Sequence, residues 1–229
     1  MAYEEFWLKT SDNLKLQGWF IYQPTDTNKR NTIVFFHENA GNLGLRLDWF
    51  ELVYKNLGVN IIAVAYRGFS RSEGKPGQDG ILIDTQAILQ YVKHESRINN
   101  QRVFILGRSL GGAVATHTVA KMAEQDDEWI AGVILENTFT SINKIADGLF
   151  PFLKMIPNLK AKMLRLKWES NIAISKITVP ISFVGGTHDQ LCPVEMTKEL
   201  YTCATKSKDK NLYLVQDGDH NTTYLKGGA

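Results

Sequence analysis

The chain of 229 residues has 44% hydrophobic and 22% charged side chains, enough for one domain with a single large core. Its formal net charge of +2 is too small to favour nucleic acid or an acidic membrane surface as a partner, so a small-molecule substrate fits better. Cys192 and Cys203 lack CxxC spacing, and no signal peptide or apolar window of about 18 residues is present. We therefore expect a reduced, cytoplasmic protein without an integral membrane segment, metal or cofactor.

The N-terminal segments "EFWLKT" and "KLQGWFIYQP", joined by "SDN", predict an antiparallel hairpin at a sheet edge. Six apolar runs then alternate with helical segments such as residues 81–95. These runs are residues 32–37, 59–68, 102–107, 130–137, 180–186 and 211–218. Because parallel pairing needs crossovers that cover both faces, the pattern predicts one α/β domain over residues 1–229 with a mainly parallel sheet.

Residues 139–176 interrupt this alternation, because the segment is too long for one crossover helix and contains two prolines within helical apolar spacing. We expect a short helical, cap-like insertion over one end of the sheet; the alternative is a surface excursion with its own small core. Its apolar side chains offer an acyl-binding wall, although they equally fit packing within the segment. They are Phe150, Phe152, Met155 and Met163.

The segment "GRSLG" at 107–111 fits the G-x-S-x-G pattern between a predicted strand and a predicted helix. This is the setting of a nucleophile elbow, in which a strained turn presents the serine hydroxyl to a cleft. Gly107 and Gly111 are expected where strand and helix cross closely. Ser109 is therefore the predicted nucleophile, and the backbone N–H of Leu110 a predicted oxyanion donor.

A serine hydroxyl needs a histidine base and an acid that orients it. His220 follows the last predicted strand on a loop and is the predicted base, whereas His188 is expected to be a solvated loop residue and His117 to lie within a helix. Asp189, which follows the strand at 180–186, is the predicted acid. Glu136, at the end of the strand before it, is the competing candidate.

The loop after the first parallel strand reads "HENAGN" at 37–42, and such a loop supplies the second oxyanion donor in this arrangement. The backbone N–H of Asn39 is the candidate donor, with His37 supporting the loop. The alternative is an ordinary helix entry at which Asn42 is the N-cap.

Six motifs in this order resemble the α/β-hydrolase superfamily, and specifically the eukaryotic α/β-hydrolase domain-containing protein thirteen group. They are "HENAGN", "AYRGFSRSEG", "FILGRSLGGAVATH", "LENTFTSI", "GGTHDQLCP" and "DGDHN". The resemblance implies the hydrolase fold and a triad of Ser109, Asp189 and His220. Glu38 departs from the group, which commonly has glycine after the histidine of this loop. The group often has an N-terminal anchor, and the fold normally adds a last helix after the histidine, so we expect a shortened C-terminus here.

Together these features predict a serine hydrolase that cleaves carboxylic esters or thioesters through an acyl-enzyme. A lipid or an acylated protein would be a transient substrate. An amidase or peptidase with the same triad is one alternative, and a non-catalytic binding protein on the same scaffold is another.

Overall fold

The computed structural model describes residues 1–149 and 166–227. Its single sheet has eight strands in the order β1-β2-β4-β3-β5-β6-β7-β8. The strands are β1 (Ala2–Lys9), β2 (Lys15–Tyr22), β3 (Thr32–Phe36), β4 (Asn60–Val64), β5 (Val103–Arg108), β6 (Gly132–Glu136), β7 (Ile181–Gly186) and β8 (Lys210–Val215). β1 and β2 form the antiparallel hairpin, β2 pairs antiparallel with β4, and the remaining pairs are parallel. The predicted mainly parallel sheet with an N-terminal hairpin is confirmed.

Helices follow most of the parallel strands. In the described ranges they are α1 (Leu47–Leu57), α2 (Gln78–His94), α3 (Leu110–Glu124), α4 (Ile142–Leu149), α5 (Ser170–Ala173), α6 (Val194–Cys203) and α7 (Thr223–Lys226). No helix in these ranges combines the length and the hydropathy required to cross a bilayer.

Buried side chains alternate between the two faces of the central strands. Val34 and Phe36 of β3 pack into one hydrophobic cluster with α2, α3 and α6, whereas Ile33 and Phe35 pack into a second cluster with α1. Every residue of β3 and β4 is buried, as expected for parallel strands covered on both sides. The near-continuous apolar runs in the sequence therefore indicate a sheet that is covered on both faces.

The described ends of the predicted insertion belong to the main core. Phe139 and Trp168 are buried in the cluster that contains α2 and α3, and Trp168 is fully buried. The structure therefore continues the principal core into both ends of the segment, instead of giving these ends a separate core. The proposed acyl wall at Phe150, Phe152, Met155 and Met163 lies outside the described residues.

Four loops leave the carboxyl ends of β3, β5, β7 and β8 at one edge of the sheet, because these strands run in parallel. Open α/β sheets build their sites at this edge. The predicted nucleophile, acid and base, and the candidate oxyanion donor Asn39, belong to these loops.

Candidate active site

Ser109 occupies a strained turn between β5 and α3. Its backbone has φ 53° and ψ −118°, a conformation that costs a non-glycine residue about 1–3 kcal/mol. The surroundings hold the turn in place: the Ser109 N–H donates to the carbonyl of Glu136 at 3.0 Å, and the Thr138 hydroxyl donates to the Ser109 carbonyl at 2.7 Å. This is the geometry of a nucleophile elbow, which aims the side chain away from both flanking elements.

The two glycines of the predicted elbow motif occupy positions that exclude a side chain. A Cβ at Gly107 would lie 2.2 Å from the carbonyl oxygen of Gly111, and a Cβ at Gly111 would lie 1.8 Å from that of Phe36. Both contacts are with backbone, which cannot move away as a flexible side chain can. Close approach of α3 to β3 and β5 therefore requires these glycines.

The three predicted triad side chains are in contact. The Oγ of Ser109 is 3.0 Å from Nε2 of His220, and Nδ1 of His220 is 2.7 Å from Oδ2 of Asp189. His220 comes from the loop after β8 and Asp189 from the loop after β7, so the structure brings together residues far apart in the chain. The carboxylate of Asp189 is fully buried, whereas 17% of the His220 side chain is exposed.

The loop after β7 orients the carboxylate of Asp189. Its Oδ1 accepts hydrogen bonds from the N–H groups of Leu191 at 2.9 Å and Cys192 at 2.8 Å, which leaves Oδ2 for His220. A carboxylate in this position holds the imidazole proton on Nδ1, so that Nε2 is an acceptor for the serine hydroxyl. The arrangement can therefore take a proton from Ser109.

The alternative acid and bases lie elsewhere. Glu136 is buried with its Oε1 3.8 Å from Nε of Arg108, and burial raises the pKa of its carboxyl while Arg108 opposes that shift. His188 is largely exposed, 3.6 Å from Asp217. His117 in α3 packs edge-on against Trp168. The contact of Asp189 with His220 agrees with the choice of Asp189 over Glu136 made from the sequence.

The loop after β3 is held by its first residue. The ring of His37 stacks on Tyr66, with 4.0 Å between centroids. Its Nε2 accepts from the Tyr66 N–H at 3.2 Å, so Nδ1 carries the proton and donates to the Glu38 carbonyl at 2.7 Å. Burial lowers the pKa of His37 to about 4, although the bond to Glu38 opposes the shift. His37 is therefore a neutral support for the loop, outside the triad contacts.

Asn39 is exposed on the same loop, and its role as an oxyanion donor stays a prediction, as does that of Leu110. Asn42 is the N-cap residue of the adjoining 3₁₀ turn, because its side chain accepts from the N–H of Leu45 at 3.3 Å. A helix-entry loop and an oxyanion loop are compatible in one segment. The cap satisfies the turn while the preceding residues remain at the edge of the site.

Glu38 forms ion pairs that the sequence did not predict. Its Oε1 lies 3.1 Å from Nε of Arg46 and 3.8 Å from Nη1 of Arg108. Arg108 is buried and also donates to the carbonyl of His220 at 3.1 Å, with its guanidinium 5.1 Å from the ring centre of Tyr224. One buried arginine thus links the loop after β3 to the loop that carries the histidine.

Cys192, which has no function predicted from the sequence, is a further residue of the site. Its thiol is within hydrogen-bonding reach of Ser109, and burial raises the pKa of that thiol, with the nearby Asp189 adding to the shift. In the sequence, only its position three residues after the predicted acid indicated that Cys192 could lie at the site. The buried thiol is consequently neutral beside the triad.

The sheet topology and the elbow define an α/β hydrolase. A family model described as "Serine aminopeptidase, S33" (Hydrolase_4) matches residues 27–173, and the chain belongs to this α/β-hydrolase family. It is 36% identical to the Arabidopsis thaliana α/β hydrolase domain-containing protein WAV2, over 100% of this chain and 75% of that protein. Protein bem46 of Schizosaccharomyces pombe is 32% identical over 100% of this chain and 74% of its own length.

The fold is also similar to that of the Pyrococcus furiosus esterase Pf2001. The two structures match with a TM-score of 0.76 at 20% sequence identity, over 98% of this chain and 84% of the other. The match therefore covers nearly all of this chain. It supports the hydrolase fold assignment made from the sheet itself.

Proposed function

We propose that this hydrolase is a serine esterase or thioesterase that works through an acyl-enzyme at Ser109. The observation that carries the proposal is the continuous contact from the Ser109 hydroxyl through His220 to the buried carboxylate of Asp189. Each distance is within the range that proton transfer requires. The strained elbow adds support, because its conformational cost is expected at a functional site.

In the proposed reaction, Ser109 Oγ forms a bond to the substrate carbonyl carbon while its proton moves to Nε2 of His220. The tetrahedral intermediate collapses as the bond to the alcohol or thiol breaks, and the leaving group takes that proton. Water then attacks the acyl-enzyme with His220 as base, which releases the carboxylic acid and restores the serine. Asp189 stabilises the imidazolium throughout.

The oxyanion is expected to accept hydrogen bonds from the backbone N–H groups of Leu110 and Asn39. Leu110 begins α3, so its N–H lies at the positive end of the helix dipole. Such a donor typically contributes about 3 kcal/mol to stabilising the transition state. The ion pairs of Glu38 with Arg46 and Arg108 support the loop on which Asn39 lies.

The proposal includes membership of the α/β-hydrolase domain-containing protein thirteen group, which the sequence motifs resemble. It also includes a lipid or an acylated protein as the substrate, and a cytoplasmic location. Amide cleavage is the second candidate, because the matching family model is described as a serine aminopeptidase and the same triad geometry serves both leaving groups. A substrate series distinguishes them: p-nitrophenyl esters of increasing acyl length, acyl thioesters and aminoacyl p-nitroanilides.

Labelling with a fluorophosphonate probe tests the nucleophile directly. Wild type should be labelled at Ser109 and should hydrolyse esters, whereas Ser109→Ala should do neither. Ser175→Ala is the control, since Ser175 lies on a 3₁₀ turn with its hydroxyl bonded to a backbone carbonyl. A folded wild-type protein that is neither labelled nor active would refute the proposal and favour a non-catalytic binding protein.

A further inference from the structure

Cys192 lies in a group of three side chains that could bind a metal ion. One atom each from the Cys192 thiol, the Asp189 carboxylate and the His220 imidazole lie within 4.8 Å of one another. Cys192 and Asp189 are buried, and His220 is half-buried. The hydroxyl of Ser109 adjoins both the thiol and the imidazole.

We propose that these three side chains form an inhibitory binding site for one thiophilic divalent cation of the zinc type. Thiolate, imidazole and carboxylate are the ligands of zinc in proteins, whereas a thiolate disfavours magnesium and calcium. The ligand set carries two negative charges once the thiol is deprotonated, so a divalent ion gives a neutral complex. Neutrality matters because two of the three ligands are buried and an uncompensated charge there is costly.

The distances allow the site to form through small movements. Zinc lies about 2.0–2.3 Å from such ligands, so ligand atoms at the corners of a tetrahedron are about 3.5 Å apart. Atoms already within 4.8 Å therefore need shifts of about 1 Å, comparable with a change of side-chain torsion. Asp189 and Cys192 share one short loop, and a hydrogen bond from the Cys192 N–H to Oδ1 of Asp189 holds them together.

Metal binding occupies the acid and the base that the proposed reaction needs. The inhibition therefore rests on the proposed function. A metal–sulfur bond replaces the S–H bond of Cys192, whose proton passes to solvent. The Asp189 carboxylate then binds the cation and no longer holds His220, and an imidazole bound to the cation is lost as the base for Ser109. Occupation of the site therefore stops hydrolysis without any change in the fold.

Cobalt binding tests the site without reference to activity, because Co²⁺ substitutes for zinc and a cobalt–thiolate bond gives a charge-transfer absorption band in the near ultraviolet. The reduced protein is titrated with Co²⁺, and the ester rate is measured in parallel with increasing Zn²⁺. The variants are Cys192→Val, which keeps a buried apolar side chain, and Cys203→Val as the matched control. Cys203 ends α6 as a free, half-buried cysteine.

Wild type and Cys203→Val should show the band with one equivalent of Co²⁺, and Cys192→Val should not. Each protein's rate is expressed relative to its own metal-free rate. Half-inhibition of Cys192→Val should require a Zn²⁺ concentration at least about tenfold higher than that for wild type. A band that persists in Cys192→Val, or is absent from wild type, overturns the metal site. A protein without metal-free activity but with the band refutes only the proposed hydrolysis.

Discussion

Replacing Asp189 by Asn isolates the orientation of the histidine from the packing of its loop. The amide keeps the shape of the carboxylate, and its oxygen can still accept from the N–H groups of Leu191 and Cys192, which are 2.9 Å and 2.8 Å from Oδ1. The amide nitrogen then faces Nδ1 of His220 and can only donate. This selects the tautomer whose proton is on Nε2, and that atom can no longer accept from Ser109.

The expected loss is about 10⁴-fold in kcat, the size of the effect when a triad acid is replaced by its amide. This corresponds to about 5 kcal/mol of transition-state stabilisation, at 1.36 kcal/mol for each factor of ten. KM should change little, because Asp189 is buried behind His220 and does not reach the substrate. The melting temperature should remain within a few degrees of wild type, since both backbone hydrogen bonds of the loop persist.

The assay combines steady-state hydrolysis of a short p-nitrophenyl ester, the rate of fluorophosphonate labelling and thermal denaturation. Glu136→Gln is the control, because it replaces the carboxyl group of the competing acid by an amide of nearly the same volume. That variant should retain activity within about tenfold of wild type. Asp189→Asn with nearly full activity, or Glu136→Gln with the larger loss, would refute the assignment of the acid.

Three further predictions concern stability. Gly111→Ala should lower the free energy of unfolding by on the order of 3 kcal/mol, because the new Cβ would lie 1.8 Å from a backbone carbonyl oxygen of β3. Denaturant titration checks this, with Gly77→Ala as the control, since no described atom lies within 4 Å of a Cβ there. Burial lowers the pKa of His117 to about 4, so the folded protein binds a proton at this ring less readily than the unfolded chain does. The free energy of unfolding is therefore unaffected by this group above about pH 6.5 and falls by up to about 3 kcal/mol as the pH decreases toward 4. His117→Phe should therefore lose less stability than wild type between pH 7 and 4, measured by urea unfolding. Arg108→Met should cost about 3–5 kcal/mol because buried carboxylates lose their counter-charge, whereas Arg71→Met, whose side chain is 67% exposed, should cost below about 1 kcal/mol.

Each of these predictions has a clear contrary result. Equal stability of the two glycine variants would contradict the close approach of α3 to β3. An unchanged acid dependence after the histidine substitution would mean that its ring titrates normally in the folded protein. Equal costs for the two arginine variants would show that the buried ion pairs contribute no more than exposed ones.

The sequence by itself was sufficient to predict the hairpin, the mainly parallel sheet and the elbow at Ser109. These features follow from local patterns: apolar runs of strand length, helical spacing and glycines at a strand-to-helix turn. The order serine, acid, histidine along the chain then selected Asp189 and His220, because parallel strands deliver their following loops to one edge. The contacts among these three side chains agree with that selection, whereas their catalytic roles stay a proposal for the variants above to test.

Only the tertiary structure decided which side chains surround Ser109, Asp189 and His220. Cys192 beside Ser109, Arg108 against the His220 carbonyl and the ion pairs of Glu38 all join loops that are distant in the chain. Such contacts depend on the order of strands in the sheet and on the direction in which each side chain leaves its loop. Hydrophobic periodicity carries neither quantity, so the residues that support the site, and the thiol that adds a ligand to it, emerge only once the chain is folded.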